Sequence, residues 1–382
     1  MVRRPSLGGA FLRGPRAVVP EPIVISIDAM GGDHGPSIVA PGVEIALQRL
    51  RGRQVRFLLH GDEDQLNAEL QRCTRAREAS EVRRTDLVIG MEDKPAHALR
   101  RGKGSSLWNA VEAIRNGEAH AMVSAGNTGA LMAISKLILR MASSELERPA
   151  IVASWPNMKG VTAVLDVGAN VTSDAAQLVE FAIMGSAFYR AVHGAEHPTV
   201  GILNVGSEDQ KGHEEVKEAN RLLREGGLPI NYHGFVEGDD ISKGAVDVVV
   251  TDGFTGNIAL KTAEGVARFI RHLLRDSFTS DLRSKAGAVL AQPALRKMMA
   301  RLDPGRVNGG PLLGLNGVVV KSHGGADAAG FANAIVVAAD LARSDHAAEI
   351  ERNLVRLGDL MRQNGAAADA AKDDESRAEQ AR

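Results

Sequence analysis

The chain is poor in aromatic residues, which make up 3% of its 382 positions. So few rings argue against a base-stacking platform for nucleic acid. It also lacks an excess of charge: 46 Lys and Arg stand against 47 Asp and Glu, so no field of one sign would drive nucleic-acid binding. The single cysteine, Cys73, allows no intramolecular disulfide and fits a reducing cytoplasm. It lies in the polar stretch LQRCTRAREAS and reads as an incidental helix residue. No apolar run reaches the roughly 18 residues of a membrane span. Residues 1–21 carry Arg but no long apolar segment, so they read as a disordered leader rather than a secretory signal. Residues 346–382 read as a helix end and a disordered, Ala-rich charged tail.

Several signatures are missing. There is no Gly-x4-Gly-Lys-Ser/Thr loop for nucleotide phosphates and no Gly-x-Gly-x-x-Gly fingerprint: after Gly102 and Gly104, Leu107 stands where the last glycine belongs. No Gly-x-Ser-x-Gly nucleophile elbow occurs, and no His is followed five residues later by Asp. One cysteine also rules out the Cys/His spacings of a structural zinc site. No metal and no cofactor are expected.

What is present is a recurring unit. Short β-branched runs such as IVISID and VDVVVT alternate with helical patterns, and 44% of residues are hydrophobic. This predicts one large α/β unit over 22–345, with a mostly parallel sheet and helices on both faces. Polar, glycine-bearing turns follow five of the strands, at Asp28–Gly35, Ser124–Gly129, Asp166–Asn170, Asn204–Gly212 and Asp252–Asn257. In a parallel sheet these fall on the carboxyl edge, where ligands of open α/β folds bind. Free backbone amides at helix starts suit an anion, phosphate or carboxylate. With no protein nucleophile in evidence, the anion itself is a candidate nucleophile. Phosphate attack on a thioester asks the protein only to hold phosphate, orient the thioester and stabilise the oxyanion.

Seven stretches occur in order: SIDAMGGDHGP, KPAHALRRGKGSSLWNAVEAIRNGEAHAMVSAGNTGALM, LDVGANV, LNVGSEDQKG, FVEG, VVVTDGFTGNIALKTAEG and GVVVKSHGGAD. Together they resemble the PlsX family of acyl-carrier-protein:phosphate acyltransferases, from about Ile23 to Leu341. The resemblance implies transfer of a long-chain acyl group from acyl-carrier protein to inorganic phosphate. The acyl phosphate would feed a membrane glycerol-3-phosphate acyltransferase in phospholipid synthesis. It also implies a homodimer with a fold like isocitrate and isopropylmalate dehydrogenases and phosphotransacetylases (Rossmann-like). Two rival readings are a phosphotransacetylase- or dehydrogenase-like enzyme on that fold and a non-catalytic membrane-docking module.

His34, Lys103, Asp252 and Lys261 are the candidate catalytic residues, and no sequence argument picks the acid/base among them. Candidates for holding phosphate or substrate are Asp28, Gly31, Gly32 and Asp33 in the first turn, then Arg100 and Ser105, then Asn127 and Thr128. Further along come Asp166, Asn170, Lys211, Thr255, Asn257 and His323. Several have a second reading. Ser105 and Asn127 could cap helices, Asp166 and Asp252 could belong to core networks, and Lys321 pairs with His323 at the end of a strand. Arg268, Arg271 and Arg275 recur on one helix and could meet an acidic carrier.

The stretch 278–306 reads as a protruding helical hairpin. Pro293 would break it into two short helices. Leu282, Ala286, Val289 and Leu290, then Leu295, Met298, Met299 and Leu302, fall at helical spacing. Arg283, Lys285, Arg296, Lys297 and Arg301 lie on other faces. A basic amphipathic arm suits an anionic membrane surface, with Val289, Leu290 and Pro293 near its tip. The same faces could instead pack in a dimer. The expected location is cytoplasmic with peripheral membrane association.

Overall fold

The computed structural model describes residues 22–144, 146–301, 307–359 and 362. The leader 1–21, Leu302, Arg306 and the tail 363–382 lie outside the described residues, as do the side chains of Lys297, Met299 and Arg301. Eleven strands form one sheet: β1 (Ile23–Asp28), β2 (Val55–Gly61), β3 (Ser80–Arg84), β4 (Ala121–Ser124), β5 (Ala150–Pro156), β6 (Val161–Leu165), β7 (Thr199–Leu203), β8 (Asn231–Val236), β9 (Val248–Val250), β10 (Gly310–Leu313) and β11 (Val318–Lys321). Their spatial order is β3-β2-β1-β4-β11-β10-β5-β6-β9-β7-β8.

The strands are apolar on both sides because helices cover both faces. Val123, Val250 and Val320 belong to one buried cluster, together with Val39, Phe181 and Phe331 from the helices Pro36–Arg49, Ala175–His193 and Ala328–Ala342. Their chain neighbours Met122, Val249 and Val319 belong to a second cluster, with Trp108 and Leu131 from the helices Ser106–Arg115 and Thr128–Leu139. Period-two alternation thus divides one sheet between two cores.

Most ladders are parallel, but the sheet does not run one way. β3, β2, β1, β4 and β11 are parallel to one another, and so are β6, β9, β7 and β8. Between them β10 is antiparallel to both β11 and β5, and β5 is antiparallel to β6. The two parallel halves therefore point in opposite directions, which corrects the expectation of one shared carboxyl edge. The chain reverses at Asn157–Gly160, where Asn157 Oδ1 accepts from the Lys159 and Gly160 amides at 2.7 and 2.6 Å.

Register brings the two carboxyl ends together all the same. Lys321, the last residue of β11, pairs with Gly310, the first of β10. Two residues on, Leu312 pairs with Ile151. Val152 pairs with Leu165, the last residue of β6, which pairs with Val250, the last of β9. The ends of β11 and β6 thus lie within a residue or two of one height, under about 7 Å, and three strand spacings apart, about 14 Å.

Two boundaries differ from the sequence reading. A helix over 346–359 buries Ile350, Leu354 and Leu357 in the main core, so the α/β unit runs past 345. Pro293 does not break the chain: one helix spans Leu282–Arg301 through it. Pro293 is exposed, so water can serve the carbonyl that loses its amide partner. The bend lies earlier, at Ser280–Asp281, after the helix Gly253–Thr279. There Asp281 Oδ1 accepts from the Arg283 and Ser284 amides at 2.8 and 2.9 Å, which caps the second helix. Val289 and Leu290 therefore sit inside that helix rather than at a bend. No helix among the described residues is long and apolar enough to cross a membrane.

Candidate active site

Three turns meet at the carboxyl end of the first half. Asp28 closes β1 and is 2% exposed. Its Oδ2 accepts from the Ser124 hydroxyl at 2.7 Å, and that oxygen in turn accepts from the Gly126 amide at 2.9 Å. A Cβ on Gly31 would lie 2.7 Å from the Gly126 nitrogen, so glycine is what lets these turns touch. Gly32 lies against the Gly324 carbonyl, which accepts from the Asp33 amide at 3.0 Å. The turns after β1, β4 and β11 thus form one floor.

The charges on that floor are unusual. Burial pushes the Asp28 carboxyl pKa up, against the pull of the Ser106 and Ser124 hydroxyls, the Met30 amide and the Lys321 charge. Among the described residues Asp28 Oδ1 makes no hydrogen bond of good geometry, although the Ser106 hydroxyl and the Met30 amide act on the carboxylate. Burial pushes Lys321 down to about 8, opposed by the charges of Asp28 and Asp33 and reinforced by Lys261. His323 is also held below its ordinary value, chiefly by burial, and so is neutral at pH 7. Its Nδ1 accepts from the Gly325 amide at 3.1 Å, which leaves the proton on Nε2 as an outward donor. The Asn308 side chain ties Ser322, the His323 amide and Gly330 together.

The second half contributes through one helix. The turns after β6 and β9 interlock: the Gly253 amide donates to the Asn170 carbonyl at 2.7 Å, and a Cβ on Gly256 would lie 1.9 Å from the Asp166 carbonyl. The helix Gly253–Thr279 starts there. Lys261 lies eight residues along it, about 12 Å, and with Glu264 it acts electrostatically on His323. Lys261 Nζ meets Glu264 Oε2 at 2.9 Å.

Several predicted ligands prove to be committed elsewhere. Asp166 accepts from the Ile151, Ala169 and Asn170 amides and from Asn170 Nδ2, at 2.6 to 3.1 Å. Asn170 Nδ2 also donates to the Pro149 carbonyl, so this pair knits the core. Asn127 Oδ1 caps its helix, while its amide donates to the carbonyls of Gly90, Met91 and Asp93. Ser105 caps the helix Ser106–Arg115 by accepting from the Trp108 amide. Asp252 caps the Gly253–Thr279 helix with Oδ1 on the Thr255 amide and Oδ2 on the Thr255 hydroxyl, at 2.8 and 2.9 Å. These five residues position the turns. Asn257 faces Gly168. His34, Arg100, Lys103 and Thr128 are exposed, and Lys211 is paired with Glu208 at 2.9 Å in its own turn. Asn308 and Glu264 belong to the assembly but carry no sequence pattern that singles them out, and Ser124 stands out only as the first residue of its turn. Among the described residues no group of three or more His, Cys, Asp or Glu is placed to hold a metal ion.

A family model described as "Fatty acid synthesis protein" matches residues 23–349. A phosphate acyltransferase of Caulobacter vibrioides is 70% identical over 335 residues, covering 88% of this chain and 92% of the relative. The chain belongs to the PlsX family. It is an acyltransferase, and a second phosphate acyltransferase, from Maricaulis maris, is 54% identical over 90% of this chain and 98% of its own. The fold of this PlsX-family member is shared with phosphotransacetylases. That of Streptococcus pyogenes superposes with TM-score 0.55 at 16% identity, covering 84% of this chain and 94% of the other. EutD phosphotransacetylase from Staphylococcus aureus gives 0.52 at the same identity and coverage.

The capping geometry predicts how Asp252 behaves. Asp252→Ser keeps a cap and should retain turnover and stability. Asp252→Ala should cost about 0.5–2 kcal/mol of stability in denaturant unfolding. A collapse of turnover in the serine variant with normal stability would instead make Asp252 a catalytic group.

Proposed function

We propose that this PlsX-family acyltransferase moves a long-chain acyl group from the thiol of acyl-carrier protein to inorganic phosphate, releasing acyl phosphate and free carrier. The observation that carries the reading is the meeting of three glycine turns with Lys321, His323 and Lys261. Turn amides and cations suit phosphate, and a neutral Nε2–H donor suits a developing oxyanion. Phosphate is partly dianionic at neutral pH and serves as the nucleophile, while the thiolate is a good leaving group. The product would supply a membrane glycerol-3-phosphate acyltransferase for phosphatidic acid synthesis. The test is phosphate-dependent release of carrier thiol from long-chain acyl-carrier protein, with hydroxylamine trapping of the acyl phosphate. Stoichiometric thiol and hydroxamate are expected. Efficient turnover of short acyl thioesters but not of the long-chain carrier would favour a phosphotransacetylase instead.

The helix Gly253–Thr279 supports the partner assignments. At about 100° per residue, exposed Val266, Phe269, Ile270 and Leu273 share one face. The exposed Arg268, Arg271 and Arg275 lie on the opposite face. The apolar face fits a second copy of the chain, and the basic face fits an acidic carrier. Beyond it Leu282, Val289 and Leu290 are 72–85% exposed, with Arg283 and Lys285 beside them. That mixture suits an anionic bilayer surface, where an insoluble product is best released. Flotation with anionic liposomes should be lost when Val289→Asp and Leu290→Asp are combined. Undiminished flotation of that variant would remove these residues as the anchor.

A further inference from the structure

Lys321 is the most enclosed cation of the crevice, and its setting differs from that of a structural ion pair. Its Nζ donates to the Ala125 carbonyl at 3.2 Å and to the Ser322 carbonyl. These carbonyls belong to the turns after β4 and β11, so the ammonium is pinned between two strands' ends. Asp28 and Asp33 both act on it electrostatically, yet among the described residues neither carboxylate comes within the 4.0 Å of an ion pair. A largely buried lysine with no structural duty normally closes onto its counter-ion, since desolvation is costly otherwise. Here Asp28 Oδ1, itself buried, makes no well-aligned hydrogen bond among the described residues and does not reach the ammonium. Donor and acceptor are held apart by the backbone that fixes each.

The geometry points to Lys321 as the proton donor to the departing carrier sulfur. This rests on the acyl-transfer reading above. A phosphate oxygen lone pair attacks the thioester carbonyl carbon, and the O–C bond forms. The C–S bond then breaks with its electron pair on sulfur, and the Nζ proton passes to sulfur to give the free thiol. Solvent returns a proton to the amine. The neighbours fit this step less well. Lys261 is half exposed and held by Glu264. His323 is neutral, with Nδ1 already an acceptor. Asp28 is tied to Ser124.

Proton transfer is favoured when donor and acceptor are matched. Burial brings Lys321 to about 8, close to the roughly 8.5 of an alkyl thiol. The charged groups that act on it come from three elements: Asp28 of β1, Asp33 of the first turn and Lys261 of the long helix. His323 and Glu264 stand alongside. The protonated form is the active one, so kcat should fall as pH rises through about 8.

The experiment compares leaving groups. Phosphate-dependent thiol release is measured for the natural carrier thioester and for a nitrophenyl thioester, whose thiolate needs no proton to leave. The parent should show the alkaline fall with the carrier thioester and not with the nitrophenyl one. Lys321→Met should lose on the order of 100-fold with the carrier thioester and less than about 5-fold with the nitrophenyl thioester. Lys321→Arg, charged but unable to give up its proton, should behave like the methionine variant. Equal losses on both donors would overturn the assignment in favour of a binding or packing role. If the variants fail to fold, the parent decides alone: an alkaline fall on both donors also overturns it. A parent that releases no thiol from either donor defeats the acyl-transfer reading itself, and this inference with it.

Discussion

The antiparallel pairing of β10 with β5 is the constraint on which the crevice depends. Two parallel sheets running in opposite directions would ordinarily present their carboxyl ends on opposite sides of the molecule. The stagger through Gly310, Leu312, Ile151 and Val152 instead brings the ends of β11 and β6 to one height at the centre. The long helix from Gly253 then spans the remaining gap and sets Lys261 beside the first half's turns. A slip of one residue in this central ladder would turn alternate side chains to the wrong face of both halves.

The crevice built this way combines rigidity with unpaired charge. Asp166, Asn170, Asn127, Ser105 and Asp252 use their polar atoms on turns and helix starts. They fix the backbone so that the glycine turns can approach one another closely. Beside these fixed groups stand Lys321, Lys261, His323 and the turn amides. Burial weakens the charged form of Lys321 and of His323, so an incoming dianion meets one ammonium poised to lose its proton and one neutral donor. Preorganised groups of this kind need no rearrangement when charge develops.

Much of this was readable from residues alone. The β-branched runs marked the strands and seven motifs in order marked the family; of the five glycine turns, those after β1 and β4 join the floor, with the turn after β11. Three things were not. The opposed direction of the halves depends on a hairpin at Asn157–Gly160 and on the four residues of β10, too short a run to announce its pairing. The division between ligands and caps was hidden because Asn, Asp and Ser serve both roles at helix starts. Asn127 and Asp252 share the turn chemistry of a phosphate ligand, and only their hydrogen bonds show them occupied. Pro293 misplaced the bend, because an exposed proline can sit inside a helix while Asp281 offers a cap a few turns earlier.

Turns of the first half and the long helix of the second together build one anion site. The most direct measurement is a crystal structure of the protein grown in inorganic phosphate. A phosphate ion is expected within hydrogen-bond reach of the turn amides after β1, β4 and β11 and of Lys261 from the long helix. Phosphate bound only elsewhere, for example in the separate turn Asn204–Gly212 with Lys211, would contradict this assignment.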